Sequence, residues 1–281
     1  HTLVAGRQRP VDRGRCPTGH PDRSPTATRR RAALGHDPTG RACCGPMSAT
    51  PPSPTPLDRA FLTNVEDVTE LILARHGQQV WPDPADSTIA DGIDPPLSPT
   101  GRLQALAVGA ALAGRPVDAV YSSQLLRALD TGRAIAAHHG LDVEQVEDLR
   151  EIETFRDLPR DARPTEVLGE LVLRGARERF VRHRTWDVYP GSEKHEEFRH
   201  RVVNVIEGIA AGHPGGRVVI ACHGGVINAY VGEVLGLSTA MIFRPAHAST
   251  HRVRVKGDVR ALHSVNEIHH LVDGPESLET Y

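Results

Sequence analysis

Two short apolar runs end in the same way. "VTELILA" at 68–74 stops at Arg-His-Gly, and "VVIA" at 218–221 stops at Cys-His-Gly-Gly. Runs of this length, cut off by charge, predict strands buried on both faces, as in parallel sheets covered by helices on each side. In open sheets of that kind, ligands collect beyond the carboxyl ends of the strands. The chain is therefore constrained to an α/β architecture that brings two imidazoles, His76 and His223, to one edge of a sheet.

The intervening sequence fits. "PLSPTGRLQALAVGAALAG" (96–114) has Ser98 to cap a helix, Pro99 at its first position and Gly114 just past its end. "VDAVYSS" (117–123) predicts a strand and "QLLRALDTGRAIAAHHG" (124–140) a helix closed by Gly140. The alternation of strand and helix favours a parallel sheet. Further on, Thr165 predicts the cap of a helix running to about Arg184. Phe198, Val202, Val205, Ile206 and Ile209 form the apolar stripe of a helix over 196–212. "VVIAC" is then a strand and "GVINAYVGEVLG" a helix. "THRVRVKGDVRALHSV" alternates on either side of Gly257-Asp258, the pattern of an antiparallel hairpin. The predicted fold is a three-layer α/β/α sandwich around a mixed, mostly parallel sheet.

Residues 1–58 have no period of 2 or 3.6 and are rich in Arg, Pro, Thr, Gly and Asp, so they are expected to be disordered. The first Met is Met47, opening "MSATPPSPTP"; residues 1–46 are expected to be upstream sequence foreign to the working protein, an Arg-rich targeting segment being the alternative. The working domain is expected at 60–275. Residues 1–46 carry nine arginines against three aspartates, a charge of +6, which leaves −8 for the remainder of a chain of net charge −2. A domain with that balance is a poor nucleic-acid binder. No apolar run approaches the ~20 residues of a membrane span, and no compact secretion signal opens the chain, so a soluble, cytoplasmic protein without membrane partners is expected. Cys16, Cys43, Cys44 and Cys222 suggest neither a disulfide framework nor a zinc knuckle.

Arg75 and His76 follow the first strand, Arg127 falls in the first turn after "VYSS", and His223 follows "VVIAC". Two imidazoles and two guanidiniums around a helix start can form a dianion site. Arginine binds phosphate oxygens bidentately, and free helix N–H groups add partial positive charge. A neutral imidazole is also the side chain best suited to attack phosphorus near neutral pH. Taken singly, most of the 16 histidines have plainer roles. His138, His139, His269 and His270 are expected to be solvated or capping, and the run Arg182, His183, Arg184 to face water, a basic lip for an anionic substrate being the alternative.

The blocks "LILARHGQ", "PLSPTGRLQA", "VYSSQLLRALDTGRAIA", "LREI", "GSEKHEEFRHRV" and "VVIACHGGVIN" together resemble the histidine phosphatase superfamily, with its phosphoglycerate-mutase-like fold. The resemblance covers about 200 residues in the family's order. It implies that His76 is the nucleophile, that Arg75 and Arg127 hold the phosphoryl oxygens, and that His223 stabilises the transferring group. Glu151 in "LREI" matches the family's proton donor, with Glu153 as the alternative. Gln78 stands where the family more often has Glu, and with Gly224 at a helix start it joins the expected substrate-binding set. Phosphoryl transfer depends mostly on positioning and charge stabilisation, so no metal and no cofactor is expected. The expected partner is a small phosphorylated substrate. Oligomeric state stays open, a homodimer being one option.

Three other readings use the same residues: a mutase-type phosphotransferase, a non-catalytic phosphate-binding module, and a zinc hydrolase built on His76, His223 and a carboxylate. Longer insertions typical of the mutases are absent after the acid, which favours the phosphatase. The retained nucleophile, arginines and acid disfavour the binding module. Arginine beside a metal ligand disfavours zinc. The acidic segment "QQVWPDPADSTIADGIDP", with Asp83, Asp86, Asp91 and Asp94, is expected to be a loop that rims the pocket and sets specificity.

Overall fold

The computed structural model describes residues 53–83, 86–273 and 276–281. The expectations for residues 1–46, for their three cysteines and for disorder up to residue 52 lie outside the described residues. Six strands, β1 (Thr69–Arg75), β2 (Ala119–Ser122), β3 (Val143–Gln145), β4 (Arg217–Cys222), β5 (Thr250–Lys256) and β6 (Val259–Glu267), form one sheet of order β3-β2-β4-β1-β5-β6. β3, β2, β4 and β1 run parallel, and β5 and β6 add an antiparallel hairpin.

The side chains of β1 alternate between two cores, as the period of a strand requires. Leu71 and Leu73 pack with Val218 and Ile220 of β4 against α7 (His195–Gly212) and α8 (Gly224–Val234), through Phe198, Val202, Ile206, Ile227 and Tyr230. Ile72 and Ala74 face the opposite way, against α3 (Pro99–Leu112), α4 (Leu126–Ala136) and α9 (His269–Val272), through Val108, Leu112, Ile135 and Leu271. Each such buried Leu or Ile contributes roughly 1.5–3 kcal/mol. This two-sided burial explains why "LILA" and "VVIA" are continuously apolar. The sandwich is the predicted one.

Ser98 caps α3, accepting from the Gly101 N–H at 3.0 Å, with Pro99 at the first helical position as expected. Elsewhere the boundaries differ. The predicted helix from Thr165 to Arg184 is two helices, α5 (Pro164–Leu168) and α6 (Glu170–His183), because Gly169 between them sits at φ 77°, outside helical space. The acidic loop contains a helical turn, α2 (Ile89–Ile93), closed by a reciprocal capping box between Thr88 and Asp91. Strand β3 was not anticipated. It is three residues long, half-exposed at the sheet edge and without alternation.

The domain is expected at 60–275; among the described residues, regular structure and fastening bonds also lie on either side of it. Helix α1 (Pro56–Phe61) overlaps the stretch expected to be disordered. Thr55 and Asp58 cap it reciprocally, and Arg254 of β5 holds the carbonyl of Leu62 just beyond it. At the other end the Leu278 N–H donates to Leu271 O at 2.7 Å, and the His247 N–H donates to Thr280 O at 2.9 Å. These bonds fasten the last residues back onto the fold.

Candidate active site

The parallel register of β1 and β4 pairs Arg75 with Cys222, so the next residue of each strand, His76 and His223, leaves the sheet beside the other. Their ring centroids are 5.2 Å apart, and both are buried. The chain after His76 turns against the start of α3 at very short range. A Cβ on Gly77 would lie 2.3 Å from Gly101 O, and one on Gly101 would lie 1.9 Å from Gln78 O. The Gly77 N–H donates to Thr131 Oγ1 (3.1 Å), whose hydroxyl donates to Arg127 O (2.8 Å), tying the nucleophile's loop to the helix that carries Arg127.

His76 Nδ1 lies 2.7 Å from Gly77 O. The carbonyl can only accept, so Nδ1 carries the proton and Nε2 keeps the lone pair. Burial, reinforced by the charges of Arg127, His223 and Arg75, holds His76 well below the ordinary histidine value; the Gly77 carbonyl acts weakly in the other direction. The ring is neutral at physiological pH and able to act as a nucleophile. His223 is held low by burial and by Arg127, Arg75 and Arg201, and neither of its ring nitrogens has a protein partner.

The two guanidiniums are buried with spare donors. Arg75 Nη1 donates to Pro245 O and Arg127 Nη1 to Ile93 O (3.0 Å), while Asp94 lies 3.9 Å from Arg127. The Nε of each is buried with no acceptor in the protein. Burial lowers Arg75 to about 10, against the opposing pull of Glu151, and lowers Arg127 with Glu151 and Asp94 opposing. Both remain cationic at neutral pH. The segment leading to Pro245, the partner of Arg75, is anchored by Asn228 of α8, which accepts from Ile242 and Phe243 N–H (2.7 and 3.2 Å).

Glu151 reaches across to the start of α8. Its Oε2 accepts from the Gly225 N–H and its Oε1 from the Ile152 N–H, both at 3.0 Å. A Cβ at 225 would sit 2.2 Å from Glu151 Oε1, so the second glycine of "CHGG" is what lets the carboxyl lie there. Arg201 of α7 secures the segment that carries it, donating to Asp148 O (2.7 Å) and Arg150 O (3.0 Å) while paired with buried Glu193 through two 2.8 Å bonds.

These groups border a cavity of about 570 Å³, whose walls include Arg75, His76, Arg127, Glu151, Glu153 and Trp186. His76, Arg75, Arg127 and Glu151 therefore border one cavity, whereas His223, fully buried with its ring centroid 5.2 Å from that of His76, does not line it. Glu153 also borders the cavity, but its carboxylate is engaged by Arg160. Gln78 does not line the cavity. Its side chain accepts from Ser98 Oγ at 2.9 Å and its N–H donates to Gln104, because the turn at Gly77 directs residue 78 towards α3. The neighbouring Gln79 takes the place on the wall. Gly224 borders an adjoining cavity, and a Cβ there would approach Arg75 no closer than 3.7 Å, so bulk does not dictate its identity. Thr88, Ile89, Gly92 and Ile93 show that the acidic segment does rim the pocket, although Asp91 caps α2 and Asp94 faces Arg127.

Several residues escaped the sequence reading. His247 is fully buried with its ring 5.7 Å from that of His76, on a segment with no periodic signal. Glu193 lay within a quoted block, "GSEKHEEF", whose only local cue was a carboxylate eight residues before an arginine. Arg184, expected to face water, is exposed at the border of the adjoining cavity. His270, expected to be solvated or capping, places Nε2 2.9 Å from Ala248 O. Among the described residues no cluster of three or more His, Cys, Asp or Glu is arranged to hold a metal ion, and the two site imidazoles are flanked by guanidiniums instead.

Residues 71–268 match the family model described as histidine phosphatase superfamily, branch 1. A metal-independent phosphoserine phosphatase of Arabidopsis thaliana is 30% identical over 216 residues, which cover 73% of this chain and 84% of the relative. Phosphoglycerate mutase-like protein 4 of the same plant is 31% identical over 209 residues, covering 70% and 88%. Among solved structures, a mycobacterial glucosyl-3-phosphoglycerate phosphatase superposes with a TM-score of 0.58 at 25% identity, over 71% of this chain and 99% of that one.

Proposed function

As this chain belongs to the histidine phosphatase superfamily, we propose that it hydrolyses a small phosphorylated metabolite through a covalent phosphohistidine at His76. The observation that carries this reading is the fixed tautomer of His76. Its Nδ1–H is committed to Gly77 O, which leaves the lone pair on Nε2, and His76 borders the same cavity as Arg75, Arg127 and Glu151.

In the first half-reaction the Nε2 lone pair attacks phosphorus. The bond from phosphorus to the leaving oxygen breaks, and protonated Glu151 gives that oxygen its proton. In the second, carboxylate Glu151 takes a proton from water, the resulting hydroxide attacks phosphorus, and the P–N bond breaks with its electron pair returning to Nε2. Acid–base assistance of this kind is worth ~10²–10⁴ in rate. Arg75 and Arg127 hold the non-bridging oxygens through donors that have no protein acceptor, and His223, whose ring nitrogens also have no protein partner, steadies the same group. Fixed cations of this kind stabilise the charge that builds up on the transferring group, so turnover is proposed to need no metal or cofactor. Glu151 is preferred to Glu153 because it is held by two backbone N–H groups rather than by an arginine.

The proposed compartment is the cytoplasm, in line with cysteine use that implies no disulfides; no described helix is long and apolar enough to cross a membrane. The test is turnover of p-nitrophenyl phosphate in EDTA. Wild-type activity that His76→Ala abolishes supports the proposal, and inactivity across a broad phosphomonoester panel contradicts it. A mutase-type reading is favoured by the relatives named phosphoglycerate mutase-like or phosphoglycerate mutase; conversion of 3- to 2-phosphoglycerate would establish it.

A further inference from the structure

The catalytic cavity has a neighbour of about 500 Å³, and the two share Arg75, Trp81, Glu151 and Trp186 as common walls. On the phosphatase reading, on which this inference rests, the leaving oxygen must sit at Glu151. The carbon body of the substrate then departs from that junction into one lobe or the other.

The two lobes differ in charge. The first carries Glu147 and Glu153 at its border, with Arg150 itself near Asp148 at 3.4 Å. Among the described residues the second has no carboxylate side chain except the shared Glu151, and it presents Arg184 and Arg244. Both are exposed and neither forms an ion pair among the described residues, whereas Arg177 on the same helix as Arg184's cap is paired with Glu170. Arg244 lies 5.5 Å over the ring of Tyr281, and its charge lowers the pKa of Arg75, which places it within electrostatic reach of the phosphate site.

The second lobe is also rich in aromatic residues. The chain has only 5 Phe, 2 Trp and 4 Tyr, yet Trp81, Phe155, Phe180, Trp186, Phe243 and Tyr281 border the two lobes. Concentrating scarce aromatic residues at one opening is not what core packing requires. The rings of Phe180 and Trp186 lie 4.5 Å apart, tilted by 42°, while Trp81 stays 64% exposed at the junction. An exposed ring beside a deep cavity gains most from a ligand that covers it. A three-carbon body would fill a small part of a lobe this size, which is within the range of sites for much larger ligands.

We propose that the second lobe receives the body of the substrate, and that this body is a flat, apolar alcohol carrying a second anionic group, carboxylate or phosphate, held by Arg244 and Arg184. Aromatic walls select the flat portion and unpaired guanidiniums select the anion.

The test compares kcat/KM for glycerol 1-phosphate, phenyl phosphate, 4-(carboxymethyl)phenyl phosphate, 4-(aminomethyl)phenyl phosphate and 1,4-phenylene bisphosphate. The carboxymethyl and aminomethyl esters have leaving oxygens of similar basicity and differ in remote charge. Wild type should favour phenyl over glycerol phosphate, and the carboxymethyl over the aminomethyl ester, each by roughly tenfold or more. The bisphosphate and carboxymethyl arms identify which anion is preferred. Arg244→Glu, at an exposed position, should reverse the order of the two charged esters, and Trp186→Ala should shrink the preference for phenyl over glycerol phosphate. The proposal is overturned if wild type and Arg244→Glu rank the charged esters alike, or if glycerol and phenyl phosphate are used equally well. Failure to hydrolyse any of the five would instead remove the phosphatase reading, and this inference with it.

Discussion

Gly225→Ala tests the role of Glu151 by displacing its carboxyl without replacing the residue. The new Cβ would stand 2.2 Å from Glu151 Oε1, 3.1 Å from its Cδ and 3.3 Å from Phe198 Cζ, against an ordinary contact of 3.4–4 Å. The oxygen must therefore withdraw by about 1 Å, and displacement of a catalytic group on that scale costs ~10²-fold. The fold should tolerate the change, because the displaced atoms are the far end of a flexible side chain. Alanine inside α8 also gains up to ~1 kcal/mol of helix propensity, which offsets the small shift asked of Phe198. The assay is kcat/KM, which reports the steps up to cleavage of the phosphorus–oxygen bond, on two substrates. Phenyl phosphate needs its leaving oxygen protonated and should lose about 100-fold. p-Nitrophenyl phosphate, whose leaving anion is far less basic, should lose much less. Equal losses on both substrates, or a loss below about threefold on phenyl phosphate, would refute Glu151 as the acid.

Two further outcomes follow from the buried charges. His76, His223, His247 and His251 all have folded pKa values below the ordinary histidine range, mainly through burial, with His247 and His251 at about 3. The unfolded chain takes up protons on these rings once pH falls below ~6.5, so stability is full above that point and drains towards the folded values, by up to about 1.4 kcal/mol per pH unit for each ring. Urea midpoints should drop between pH about 7.5 and about 5.5; a flat profile would contradict the burial argument. Arg201→Ala leaves the buried Glu193 carboxylate without its partner and frees the Asp148 and Arg150 carbonyls, so stability should fall by about 3 kcal/mol by urea titration, with kcat reduced as Glu151 loses its support. A loss below about 1 kcal/mol would mean that the pair does not hold this segment.

The parts of the site that lie at the ends of regular elements were legible in the sequence. His76 and His223 follow continuously apolar strands, and Arg127 opens a helix after one, so their convergence follows from a parallel sheet. Glu151 lies in irregular chain, and only resemblance singled it out. Gln78 entered the expected set only through the family resemblance; the close approach of Gly77 to Gly101 turns the chain there, and the Gln78 side chain meets Ser98 at the start of α3. His247 meets His76 across segments far apart in sequence, for which local pattern carries no signal, and Glu193 and Trp186 sit in irregular chain, where no periodicity singles them out. The same holds for the break at Gly169, a residue that a helix can tolerate until its φ is known.

The central claim is that His76 Nε2 carries the phosphoryl group during turnover. Rapid quenching in base followed by peptide mapping should find a phosphoramidate on His76, stable in alkali and lost in acid, which forms and decays at rates able to support kcat. Turnover with no adduct on this ring, or with the phosphoryl group on His223 instead, would contradict the account.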